Sequence, residues 1–230
     1  MPSSVMNLPC ILSLTIYLFS SFNPVSYHVR PCHYFFIFAM HIDDSGVLTT
    51  AQWIASPNFD QRPAETEVSL LVIHNISLPR NEFSGQGVID LFTNRIDPQA
   101  HPYYQSLQGL KVSAHFFVRR DGTIIQFVSC NDRAWHAGVS NWQGKDRCND
   151  YSIGIELEGS DITPFTDTQY ASLIALTQCL HTRYPIKDII GHSDIAPGRK
   201  TDPGPCFDWE RYDSGLRRDF IKRSTNSTPT

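Results

Sequence analysis

Ser69–Ile76 (SLLVIHNI) is an almost unbroken apolar run rich in β-branched residues, and it reads as a buried strand stopped by Pro79. Ser152–Leu157 (SIGIEL) repeats the pattern and ends near Glu158–Gly159. Asp188–Gly191 leads as a third short strand into His192. In Ser113–Val128 two apolar runs flank Asp121–Gly122, a turn pair that predicts a hairpin because Gly tolerates positive φ. Thr166–Tyr184 has the helical period, with Leu173, Leu176, Leu180 and Tyr184 on one face. Thr166 and Gln169 supply a capping box at its start, and Pro185 ends it. Shorter helices are expected over Val88–Thr93 and Asp208–Asp219, and loops over Asp97–Tyr104, Ala134–Gly144 and Ile195–Pro205. No internal repeat is visible. This order predicts a single mixed α/β domain with a central, mixed β-sheet packed by helices.

The two ends depart from that pattern. Arg30 is the only Lys, Arg, Asp or Glu in residues 1–39. Ile11–Phe19 is apolar but shorter than the roughly 20 residues a membrane span needs. It has the length of a signal-peptide core, yet no Lys or Arg precedes it. A translation start at Met40, or an unstructured leader, is preferred to export. We therefore divide the chain into a leader at 1–39, a domain at 40–216 and a flexible, Ser/Thr- and Lys/Arg-rich tail at 217–230.

Composition narrows the class. Hydrophobic residues make up 41% of the 230 and charged residues 18%, as in a soluble globular domain. A net charge of −4 argues against a nucleic-acid partner. The six cysteines include no C-x-x-C pair and are too sparse for a disulfide scaffold, so reduced thiols in the cytoplasm are expected. No stable membrane span is expected, and the protein is read as a monomer.

A catalytic zinc needs three protein ligands and an open position. His74 near the end of one strand, His192 just past another, and Asp202 ten residues on in a Pro- and Gly-rich loop could provide them. Spacing alone does not choose them: there is no H-E-x-x-H motif, and among nine histidines His115 and His136 compete on equal terms. Read alone, Glu156 and Glu158 are solvated strand-end carboxylates on one strand face. Lys200 is likewise an ordinary surface lysine.

The strings LLVIHNISLP, IDPQAHPYY, VSAHFFVRRDGTIIQFV, RAWHAGVSNWQGKDRCNDYSIGIELEG and GHSDIAPGRKTDPGPCFDW change this weighting. From about Trp53 to Tyr212 the chain resembles the bacterial 1,6-anhydro-N-acetylmuramoyl-L-alanine amidases, relatives of phage lysozyme-type amidases and peptidoglycan recognition proteins. The resemblance implies one Zn2+ held by His74, His192 and Asp202, and excludes His115 and His136 as ligands. It implies zinc-activated water as nucleophile, Glu156 rather than Glu158 as acid/base, and Lys200 as oxyanion stabiliser. Asp194 is either structural or a brace for a ligand. The implied substrate is a small muropeptide, cut between the lactyl group of (1,6-anhydro)-N-acetylmuramic acid and L-alanine. Asn75, Trp135, Arg147, Tyr103 and Lys111 are the expected substrate contacts, Lys111 as a point charge rather than a bidentate fork.

Three other readings differ in testable features. An exported amidase acting on intact peptidoglycan requires the leader to act as a signal. A non-catalytic peptidoglycan-binding module would lack a zinc ligand, whereas all three are present here with Glu156 and Lys200. A structural zinc protein would want a fourth protein ligand.

Overall fold

The computed structural model describes residues 40–216. The expected leader and tail, and the last residues of the expected final helix, lie outside the described residues. In chain order the strands are β1 (Gln52–Trp53), β2 (Phe59–Gln61), β3 (Leu70–Ile76), β4 (Phe116–Val118), β5 (Ile124–Gln126), β6 (Asp132–Ala134), β7 (Asn141–Trp142), β8 (Lys145–Asp146), β9 (Ser152–Glu158) and β10 (Asp188–Gly191). The helices are α1 (Gly87–Phe92), α2 (Asp167–Arg183), α3 (His192–Ile195) and α4 (Trp209–Gly215).

Six strands form one mixed sheet in the order β1-β5-β4-β9-β3-β10. Strands β4, β9, β3 and β10 run parallel, while β5 is antiparallel to β4. The apolar runs read from the sequence are its centre: β3 and β9 pair over their full length, from Leu70↔Ser152 to Ile76↔Glu158.

Alternation along these strands separates two faces. Leu71 and Ile73 of β3, with Ile153, Ile155 and Leu157 of β9, pack with Leu173, Leu176 and Leu180 of α2. Each of those three leucines is fully buried, and truncation to Ala should cost about 2–5 kcal/mol. Leu70 and Val72 belong to the opposite face, with Trp142, Tyr151, Ile190 and Ile195. His74 and Glu156 share that parity, so they lie on the face that α2 leaves uncovered. A further apolar cluster joins Phe117, Ile125 and Phe127 to Val88, Ile89 and Phe92 of α1.

The expected capping box of α2 is present: Gln169 N donates to Thr166 Oγ1 at 3.1 Å, and Thr166 N to Gln169 Oε1 at 3.1 Å. The β4–β5 hairpin turns at Asp121–Gly122, with Gly122 at φ +85°.

Several expectations are corrected. The end of the expected Ala134–Gly144 loop forms, with the two residues after it, a small hairpin, β7 with β8, turning at Gln143 and Gly144, both at positive φ. Trp142 anchors it, buried on one side and donating Nε1–H to Asp188 Oδ2 at 3.0 Å. Pro102–Leu107, at the end of an expected loop, is a 3-10 turn capped by His101. His192 follows β10 directly, as expected, and also opens the one-turn helix α3, which the sequence did not predict. The short strands β1, β2 and β6 carried no readable alternation. Helix α4 ends at Gly215, and its cap Asp208 accepts from Arg211 N.

Candidate metal centre and cleft

The parallel strands put their carboxyl ends on one side of the sheet, the usual place for a site in such folds. His74 pairs in register with Glu156, and Gly191, the residue before His192, pairs with Ile73. His74 and His192 therefore arise from neighbouring strand ends. Asp202 reaches them from the loop after α3, whose path is fixed where Ser193 N donates to Asp202 O at 2.9 Å.

Three donor atoms converge. His74 Nδ1 and His192 Nδ1 lie 3.0 Å apart, and Asp202 Oδ2 is 2.9 Å from the first and 3.0 Å from the second. Two imidazoles and a carboxylate form a donor set suited to zinc. A tetrahedron with bonds of about 2.0–2.1 Å has edges of about 3.3 Å, close to the sides of this triangle. Among the described residues this is the one group of three or more His, Cys, Asp or Glu side chains that could hold a metal ion.

The second ring nitrogens are also engaged. His192 Nε2 donates to Ala137 O at 3.1 Å, which leaves its Nδ1 lone pair toward the triangle. With Nδ1 of His74 committed to the same point, its proton belongs on Nε2, where His136 Nδ1 accepts at 3.0 Å. His136 Nε2 in turn faces Ser152 Oγ at 3.3 Å. Such outer hydrogen bonds fix ligand tautomer and ring orientation. His136 fits only because β9 carries Gly154: a Cβ there would stand 2.4 Å from the imidazole. His115 lies further back, with Gly154 N donating to its Nδ1 and its Nε2 directed at Asp132 O. Neither belongs to the donor triangle.

Burial sets the protonation states. It lowers the pKa of His74 to about 4, with the adjacent Asp202 carboxylate opposing the shift, so the ring is neutral and its lone pair available. Burial also pushes the imidazoles of His115 and His136 well below their ordinary value, helped by Arg62 and by the neighbouring histidines respectively. For Asp202 burial opposes ionisation, but the close approach of His192 and His74 outweighs it and holds the carboxyl below the usual range.

The two glutamates of β9 separate here. Both Glu158 oxygens are used: Ser84 N donates to Oε1 at 2.5 Å and Arg120 N to Oε2 at 2.9 Å, with Arg119 nearby at 3.8 Å. Glu156 is also buried, but its Oε2 has no hydrogen-bond partner among the described residues. Desolvation raises its pKa well above the ordinary carboxylate value; the Asp202 charge adds to the shift and Lys200 opposes it. Glu156 lines the cleft and Glu158 does not.

The cleft has a volume of about 730 Å3. His192, Asp202, Glu156 and Lys200 line it, as do Asn75, Trp135 and Tyr103. The exposed Lys200 makes no ion pair among the described residues. Trp135 is held by an Nε1 hydrogen bond to Asp60 Oδ1 at 3.2 Å. Asn75 spends both amide protons within the protein, on Asp161 Oδ1 at 2.9 Å and Pro203 O at 3.0 Å. Arg147 does not reach the cleft wall: its side chain is 69% exposed and pairs with Asp150. Lys111 is exposed and off the wall, although its neighbours Leu110 and Val112 line it. Asp194 accepts from Gly191 N at 2.8 Å, a contact that caps α3.

Sequence reasoning did not single out Arg80, Arg199, Asp161 or Ile162, which also line the cleft. They sit in loops with no periodicity; Arg199 lies within the GHSDIAPGRKTDPGPCFDW string but was given no role there.

Residues 64–205 match the family model described as N-acetylmuramoyl-L-alanine amidase. The chain is 53% identical over 184 residues to the 1,6-anhydro-N-acetylmuramyl-L-alanine amidase AmpD of Enterobacter cloacae, covering 79% of this chain and 98% of that one. To the AmpD of Escherichia coli K12 it is 54% identical over 171 residues, covering 74% of this chain and 93% of the relative. A crystal structure of a selenomethionine AmpD derivative superposes with a TM-score of 0.74 at 55% identity, covering 76% of this chain and 98% of that one.

Proposed function

The chain belongs to the N-acetylmuramoyl-L-alanine amidase family, and from that premise we propose that it hydrolyses the amide between the lactyl group of 1,6-anhydro-N-acetylmuramic acid and L-alanine in small muropeptides. The names of the AmpD relatives, which match over nearly their whole length, support the anhydro-sugar substrate. The observation that carries the chemistry is the three-donor triangle beside a buried glutamate, one oxygen of which has no hydrogen-bond partner among the described residues, at the wall of a cleft.

In this proposal His74 Nδ1, His192 Nδ1 and Asp202 Oδ2 hold one Zn2+. Bound there, zinc would activate a water as nucleophile and polarise the scissile carbonyl. His136 and Ala137 keep both imidazoles in the ligating tautomer. Glu156, whose site disfavours a lasting negative charge, takes the proton of the attacking water and returns it to the leaving amine. Lys200 brings a cation to the oxyanion that develops on the carbonyl. The indole of Trp135 and the ring of Tyr103 offer flat surfaces to the sugar and peptide, and Asn75 offers its carbonyl oxygen. Arg147 and Lys111, outside the wall, are not needed for this contact set. Compartment belongs to the same proposal: four of the six cysteines, at 130, 148, 179 and 206, form no disulfide among the described residues, in keeping with a cytoplasmic recycling enzyme.

Purified protein should release free stem peptide from anhydro-muropeptide far faster than from intact peptidoglycan. Equal or faster release from intact peptidoglycan would instead favour the wall-acting amidase.

A further inference from the structure

Both the ligand Asp202 and the cation Lys200 depend on one loop after α3, and besides the Ser193–Asp202 backbone bond that loop is held by a polar cluster centred on Asp161 and Asn75. Asp161, in the turn after β9, accepts from Thr201 Oγ1 at 2.6 Å through Oδ2 and from Asn75 Nδ2 at 2.9 Å through Oδ1. Asn75 Nδ2 also donates to Pro203 O at 3.0 Å, and Cys206 Sγ to Asp161 O at 3.2 Å. Gly204 lies so close that a Cβ there would stand 2.3 Å from Asp161 Oδ1. These ties fall on Thr201 and Pro203, on either side of Asp202, and on Gly204 and Cys206 beyond it.

We propose that Asp161 is a positioning residue, and that with Asn75 it clamps the 200–206 loop so that Asp202 completes the donor triangle and Lys200 faces the cleft. The clamp accounts for a polar cluster that touches no metal ligand's side chain. Asn75 sits one residue after His74 on β3, so the clamp refers the Asp202 loop to the strand that carries the first ligand. It also assigns Asn75 a new part: its amide protons are consumed in the brace, and only its carbonyl oxygen is left for substrate. The consequence for catalysis rests on the amidase reading above; the consequence for metal binding rests on the donor triangle.

The test uses the full chain and three variants, Asp161→Ala, Thr201→Val and Thr201→Ser. The readouts are the zinc dissociation constant, backbone hydrogen exchange over 199–206 in metal-free protein, and peptide release. Asp161→Ala is expected to weaken zinc about tenfold or more, in the range seen when outer-shell partners of a metal ligand are removed. It should speed exchange in that loop while α2 and β3 keep their protection. Thr201→Val should shift both readouts in the same direction by less, and Thr201→Ser, which keeps the hydroxyl, should restore them. If the zinc affinity and loop exchange of Asp161→Ala and Thr201→Val match wild type, the clamp is refuted. A uniform loss of protection across the domain in Asp161→Ala, with Thr201→Val unchanged, would also refute it, since that is ordinary scaffolding. If wild-type protein releases no peptide, the amidase reading fails, while the zinc and exchange readouts still judge the clamp.

Discussion

Replacing Glu156 by Gln separates proton transfer from everything else the site does. The side chain is buried at the cleft wall, one of its oxygens has no partner, and no hydrogen bond joins it to His74, His192 or Asp202. The near-isosteric amide should therefore leave the donor triangle in place and change zinc affinity by no more than a few-fold. What it removes is a group able to accept and return a proton. General acid–base catalysis contributes about 10²–10⁴ in rate, so kcat should fall by that factor, a barrier increase of about 2.7–5.4 kcal/mol. KM should move little. The same variant carries a stability signature. The folded pKa of Glu156 is raised, so in metal-free wild type its contribution is intact below about pH 4.5 and is lost as pH rises toward the folded value. Gln does not titrate. Unfolding of the two metal-free proteins should thus diverge above about pH 4.5, with the variant gaining relative stability toward pH 8. The assay pairs single-turnover peptide release with denaturant unfolding at several pH values. Turnover within tenfold of wild type, with one zinc bound, would refute the assignment; a stability gap independent of pH would refute the burial argument behind it.

Glu158→Ala should behave in the opposite way, because both of its oxygens accept backbone N–H groups and neither faces the cleft. Denaturant midpoints should show a loss of about 2–4 kcal/mol, while kcat of the folded protein stays within a few-fold. Gly154→Ala would drive a methyl group to 2.4 Å from the His136 ring. Overpacking of this kind costs about 1–3 kcal/mol, or roughly 2–12 °C in Tm, and displacing His136 should weaken zinc binding as well; a calorimetric scan with a parallel zinc titration checks both.

The elements that position the site were the most legible in the sequence. Strands β3 and β9 are long apolar runs, and α2 carries a full capping box and a clear helical stripe, so burial dictated them locally. Strands β1, β2 and β6 are two or three residues long and take their shape from the neighbours they pair with. No window that short shows a period. The donor trio was permitted by placement at strand ends but selected only by the long motif match. Position parity put Glu156 and Glu158 on one face, correctly. What distinguishes them is contributed by remote chain: Ser84 and Arg120 satisfy one carboxylate, and among the described residues no backbone N–H bond reaches the other. The same holds for Asp161, whose partners lie 86 and 40 residues away. Arg147 illustrates the reverse: a motif residue whose left-handed backbone directs it to solvent and Asp150.

The central claim is that His74, His192 and Asp202 hold the one metal ion on which amide hydrolysis depends. Its most direct test is a titration of zinc into chelator-stripped, verified metal-free protein while peptide release from anhydro-muropeptide is followed. Release should be absent at the start and rise to a plateau at one zinc per chain, with the His74→Ala protein showing neither tight zinc binding nor release. Full release by the verified metal-free protein, or by a His74→Ala protein that binds no zinc, would contradict it.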